Sequence, residues 1–130
     1  MRLLLDTHIL LWSLADPRRL PEPAREAIEA GENEILFSAA SIWEIAIKSQ
    51  VLRIEFGVDA STIIHAAREM RFDELAISAA HAAAVAALPP HHNDPFDRLL
   101  IGQALTEPAR LVTADKSLAA YSNDLVWLIA

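Results

Sequence analysis

There is no cysteine among the 130 residues of this chain. Disulfide frameworks, thiolate zinc sites and cysteine nucleophiles are therefore excluded, and a reducing compartment is permitted without being required. Glycine is almost as scarce. Gly31, Gly57 and Gly102 stand isolated, so no glycine-rich loop exists to cradle a phosphate, and the P-loop and dinucleotide-binding readings fail. The G-x-S-x-G elbow of a serine nucleophile is missing too. No apolar run approaches a membrane span and the N-terminus lacks a signal-peptide layout, so the expected location is the cytoplasm. Positive charge is in deficit: 11 Lys and Arg face 18 Asp and Glu, a formal net charge of −7. That argues against a non-specific nucleic-acid coat protein, which would be basic. It does not exclude a nuclease, whose metal-binding acids form part of such a balance. There is no internal repeat, low-complexity tail or linker.

What is present is apolar material, 53% of the chain. One domain of this length buries roughly 68% of its unfolded surface, enough for a core without disulfides or structural metal. Part of that apolar surface is expected to lie against a partner or a second copy. The organising stretch is MRLLLDTHILLW. Its apolar run shows no alternation after Arg2, which suits a strand over residues 3–5 buried on both faces. The run ends in Asp6-Thr7-His8 and a helical pattern follows over 7–15, stopped by Asp16-Pro17.

Beyond it, the patterns predict helices over 21–30, 38–51, 60–70, 78–88 and 96–106 and a short one over 115–121. Strands are predicted over 34–37, 110–113 and 126–129, with a strand or extended segment over 72–77, a connector over 53–57 and a polar loop over 91–95. Strands alternating with helices indicate an α/β domain with a central, mainly parallel twisted sheet flanked by helices. In such sheets ligands bind outside the carboxyl ends of the strands.

Four acids fall in that region, each with a purely structural alternative. Asp6 follows a strand and precedes a helix, so it is either an N-cap or a ligand. Glu44 completes a capping box with Ser41 or a surface pair with Lys48; yet Ile42, Trp43, Ile45 and Ile47 make its helix read as largely buried, and a buried carboxylate requires a partner or a metal. Asp94 before Pro95 reads as an N-cap, and Asp97 then sits in the first helical turn, favoured by the helix dipole and able to reach a cation. Asp115 stands just past the strand 110–113, again an N-cap or a ligand. Taken together, Asp6, Glu44, Asp97 and Asp115 approach one edge of a parallel sheet. Crowded carboxylates raise one another's pKa, a cation relieves that, and hard oxygen donors select Mg²⁺ or Mn²⁺. Thr7 and Thr113 stand beside two of the acids, placed to hydrogen-bond them or to serve β-propensity alone. His91 and His92 are either further ligands or solvated loop residues. His8, His65 and His81 read as structural. Trp12, Trp43, Trp127, Phe72 and Phe96 read as core or interface.

The blocks LLLDTHILLW, SIWEIAIK, HNDPFDRLLIGQA and LVTADKSL, in this order, resemble a PIN domain, and more narrowly the VapC-like toxins of bacterial and archaeal toxin–antitoxin modules. The resemblance spans essentially the whole chain; DPFDRLLIGQA is its most specific part. It implies a single-domain α/β nuclease with a central parallel sheet, in which an acidic cluster binds Mg²⁺ or Mn²⁺ and hydrolyses RNA phosphodiesters. By position it assigns the cluster to Asp6, Glu44, Asp97 and Asp115, with Thr7 and Thr113 as flanking hydroxyls and Asp94 as a residue common in the subgroup that retains its capping role. Asp6 and Asp97 are the first-choice direct metal ligands and Asp115 a further one; Glu44 and Asp115 are open to ligating through water, positioning the nucleophile or acting as base. Because the chain is acidic, RNA has to be held by local positive charge, for which Lys48, Arg98 and Lys116 are candidates. The resemblance also implies a small antitoxin that covers an apolar groove and blocks the acidic site, and a homodimer. Two other readings compete. A non-catalytic PIN-like binding module would be marked by loss of an acid, and none is lost. An aspartyl-nucleophile phosphatase needs a second Asp two residues after the first, where this chain has His8.

Overall fold

A computed structural model describes residues 1–90 and 94–129 of the chain. Among them, five strands form one sheet: β1 (Arg2–Leu5), β2 (Glu34–Ser38), β3 (Asp73–Leu75), β4 (Arg110–Thr113) and β5 (Val126–Leu128), in spatial order β3-β2-β1-β4-β5. Every neighbouring pair is parallel, so the sheet is wholly rather than mainly parallel. Leu4 of β1 pairs with Leu36 of β2 on one side and Leu111 of β4 on the other. The unalternating Leu3-Leu4-Leu5 run follows from this central place. Leu3 and Leu5 enter one core layer with Ile35, Phe37 and Val112, while Leu4 enters the other with Leu36 and Leu111.

The helices among the described residues are α1 (Thr7–Ala15), α2 (Glu22–Glu29), α3 (Ala39–Ile47), α4 (Ser49–Phe56), α5 (Ala60–Glu69), α6 (Ala79–Ala84) and α7 (Pro95–Thr106), with 3₁₀ turns at Pro17–Arg19, Val85–Ala87 and Lys116–Ala120. Ile9, Ile28, Ile45, Leu52 and Ile63 bring α1 to α5 onto the first layer, and Leu100, Ile101 and Ala104 bring α7 onto the second. The chain leaves β1 toward β2 on one side and returns to β4 on the other. The carboxyl end of β1 therefore lies at the point where strand order reverses, the usual ligand crevice of such sheets.

Some local expectations are corrected. The helix expected over 38–51 is two helices broken at Lys48, whose backbone sits at φ −93°, ψ 23° between α3 and α4. The second helix runs through the expected connector 53–57 and stops at Gly57, left-handed at φ 70°. The break turns Leu52 into the core while Val51 and Ile54 stay exposed. Nor is α3 buried all round: Trp43 and Ile47 are 58% and 57% exposed, and its covered side carries Ala40, Ser41, Glu44 and Ile45. The segment 78–88 is α6 followed by a 3₁₀ turn, and 115–121 holds only a 3₁₀ turn. His91 and His92, with most of the expected loop, lie outside the described residues.

Candidate active site

Asp6 leaves the end of β1 with its backbone N–H donating to the Val112 carbonyl at 2.9 Å. One carboxylate oxygen accepts the Thr7 N–H at 2.7 Å, and the other accepts the Thr113 hydroxyl at 2.6 Å. A capping side chain ordinarily reaches the second or third helical N–H. Asp6 instead bonds the first and is held crosswise by the end of β4. The side chain is buried, 8% exposed. Burial is the main cause that pushes its carboxyl above the ordinary value; the charge of Glu44 adds, and the two hydrogen bonds and His8 oppose.

Glu44 reaches the same place from the covered face of α3. The helix is capped by Ser38, whose hydroxyl accepts the Ala40 N–H at 3.0 Å, so the Ser41–Glu44 capping box does not form. One Glu44 oxygen accepts the Thr7 hydroxyl at 2.7 Å and the other the Lys48 ammonium at 2.7 Å. Thr7 Oγ1 also lies 2.9 Å from Ser41 Oγ. A hydroxyl has one proton, so with Thr7 donating to Glu44, Ser41 donates to Thr7. Ser41 thereby steadies the group that steadies Glu44. The helical spacing of Ser41 and Glu44 was the sequence signal for it, and the signal was open to a capping reading.

Asp94 caps α7, accepting from the Phe96 N–H at 2.8 Å and the Asp97 N–H at 3.4 Å, and Asp97 stands in the first turn. Asp115 caps the turn after β4 through the Ser117 N–H at 2.9 Å and hydroxyl at 2.7 Å. Its own N–H donates to Thr113 Oγ1 at 3.1 Å. Thr113 thus accepts from Asp115 and donates to Asp6, joining two acids through one hydroxyl.

All five carboxylates line one open cavity of about 360 Å³, with Thr7, His8, Trp12 and Lys48 also in its wall. His8 and Trp12 had read as structural or core residues; Trp12 Nε1 is the one side-chain polar atom buried without a partner among the described residues. Of the basic candidates, Lys48 lines the cavity. Arg98 and Lys116 do not, and the Arg98 guanidinium donates to the Val85 carbonyl at 3.2 Å. The charges of Glu44, Asp94 and Asp97 act on Lys48, and its bond to Glu44 is the main cause that holds the ammonium above its ordinary pKa.

The donor set is hard carboxylate oxygen, and buried Asp6 is disfavoured as an anion unless a cation joins it, so the residues fit a divalent metal. As placed, no three acidic or histidine side chains among the described residues are grouped to hold one. Each described acid instead has hydrogen-bond or ionic partners around the rim.

The PIN domain family model matches residues 3–123. The chain is similar to Ribonuclease VapC22 of Mycobacterium tuberculosis (strain ATCC 25618 / H37Rv), 34% identical over 122 residues that cover 92% of each chain. Its fold is similar to that in the crystal structure of VapBC2 from Rickettsia felis bound to a DNA fragment from their promoter, with a TM-score of 0.70, 16% identity and full coverage of both chains. From β1 to the turn after β4, this chain belongs to the PIN domain family.

Proposed function

We propose that this protein is a Mg²⁺- or Mn²⁺-dependent endoribonuclease, the toxin of a type II toxin–antitoxin module. The observation that carries the reading is the meeting of Asp6, Glu44, Asp97 and Asp115, from separate parts of the chain, in one cavity where the strand order reverses. It is supported by the similarity to a protein named a ribonuclease.

In this reading Asp6, Asp97 and Asp115 hold the metal. Bound there, the ion would orient the scissile phosphate, offset charge on its oxygens and lower the pKa of an attacking water. The chain's own groups prepare the site. Thr113 fixes the direction of Asp6, and Thr7, backed by Ser41, fixes Glu44. In the same reading Glu44 positions the nucleophilic water or takes its proton. Lys48 is the nearest cation for the RNA backbone, and Arg98 and Lys116 extend that role beyond the cavity.

A small antitoxin is the proposed partner, in keeping with the toxin–antitoxin complex named for the Rickettsia felis structure. Trp43, Ile47, Val51 and Ile54 are exposed apolar side chains on α3 and α4, suited to such cover. A homodimer and a cytoplasmic location complete the proposal; no helix among the described residues is long and apolar enough to cross a membrane.

The test is cleavage of total cellular RNA by partner-free protein with Mg²⁺ or Mn²⁺, with EDTA, and beside a folded Asp6→Asn variant. Cutting that needs both metal and Asp6 is expected, with a loss of about 10³-fold in the variant. Full activity in folded Asp6→Asn removes Asp6 from the site. Absence of cutting by metal-loaded protein favours the non-catalytic binding module.

A further inference from the structure

Both oxygens of Glu44 are occupied, one by the neutral hydroxyl of Thr7 and one by the Lys48 ammonium at 2.7 Å. The Glu44 side chain is only 8% exposed, whereas that of Lys48 is 47% exposed. A carboxylate so buried needs a paired charge. Lys48 is the only Lys or Arg in the cavity wall among the described residues, and Asp94 and Asp97 also act on it. The break between α3 and α4 places its backbone one turn beyond Glu44, and its flexible stem can carry the ammonium out to the cavity mouth.

We infer that Lys48 is the resident counter-cation of the acidic cavity, and that its positive charge opposes the entry of a divalent metal into that cavity. The inference rests on the metal-site reading above and deepens it. Lys48 keeps the acids tolerable to the fold before metal arrives, and for that reason weakens metal affinity.

The experiment is titration of Mn²⁺ into the metal-stripped full chain by calorimetry, with thermal melts of the same samples. It compares the unsubstituted chain, Lys48→Gln, Lys48→Met, Lys48→Arg, Arg25→Gln and Asp6→Asn. Removing a positive charge from the wall of the acidic cavity is expected to tighten Mn²⁺ binding about tenfold in Lys48→Gln and Lys48→Met. Their melting temperatures are expected to fall without metal and to rise more steeply with it. Lys48→Arg keeps the charge, and Arg25→Gln removes one on α2, outside the cavity wall; both should stay within about twofold of the unsubstituted chain. Unchanged or weaker Mn²⁺ binding in both neutral Lys48 variants overturns the proposal, as does equal tightening in Arg25→Gln. If binding is lost in Asp6→Asn but not tightened at position 48, the Lys48 role alone fails. If neither the unsubstituted chain nor the Lys48 variants bind Mn²⁺, the metal-site reading fails with it.

Discussion

Asp6 is costly to the fold while no cation accompanies it. Its carboxyl is raised above its ordinary 3.8, chiefly by burial. A raised folded pKa means that the stability from this group is fully present below about 3.8 and is lost as pH rises through the folded value. Asp6→Asn removes the buried charge and nearly keeps the shape, at the loss of one acceptor, since its amide nitrogen cannot accept from Thr7 or Thr113. In metal-free protein at neutral pH it is expected to be at least as stable as the parent, while activity falls about 10³-fold. Urea unfolding of the two proteins at pH 7 and again near pH 4 checks this; a variant less stable than the parent at pH 7 contradicts it. Thr113 belongs to the same argument. Its hydroxyl donates to Asp6 and accepts from Asp115, so Thr113→Val releases both. A loss of about 10- to 100-fold in metal affinity or activity is expected, read as Mn²⁺ affinity and cleavage rate in a protein whose circular dichroism is unchanged. An unaltered affinity would show that the hydroxyl serves only the fold.

At the scale of elements, α7 carries Asp97 and is held in place by close packing on α6. A Cβ built on Gly102 lies 3.0 Å from the His81 carbonyl and 3.2 Å from a Val85 methyl. Alanine in a helix is favoured over glycine by up to about 1 kcal/mol, yet overpacking against fixed backbone costs about 1–3 kcal/mol. Gly102→Ala is therefore expected to destabilise by about 1 kcal/mol in urea, and a more stable variant would show that the helices part at no cost. His81 locks the same junction. Its Nδ1 accepts the Ser78 N–H at 3.0 Å, which leaves Nε2 to donate to Glu107 at 2.6 Å. The helix α7 was legible because Asp94-Pro95 opens it with a cap and a proline, both local signals. The break at Lys48 was not legible. SIWEIAIKSQVL holds no proline or glycine to interrupt a helix, and it is in the folded chain that the turn at Lys48 accompanies the entry of Leu52 into the core.

On the scale of the whole molecule, the site and the stability are coupled through the metal. An ion that binds only the folded chain stabilises it by about 2.7 kcal/mol at a hundred times its Kd. Addition of Mn²⁺ is expected to raise the melting temperature, EDTA to reverse the rise, and Asp6→Asn to show neither; an equal shift in the variant would move the ion elsewhere. The parallel sheet and the acids at its strand ends were legible because a doubly buried strand writes itself as an unbroken apolar run. Asp6 follows such a run at once and Asp115 comes two residues after β4, with Glu44 on the helix after β2. The sequence by itself thus determined which acids stand at the edge of the sheet and that their oxygen chemistry suits a hard cation. Only the tertiary structure decided what each acid touches. Thr113 meets Asp6 across 107 residues, and Thr7 meets Glu44 across 37. Such partners are chosen by strand order and helix packing, which no local pattern encodes.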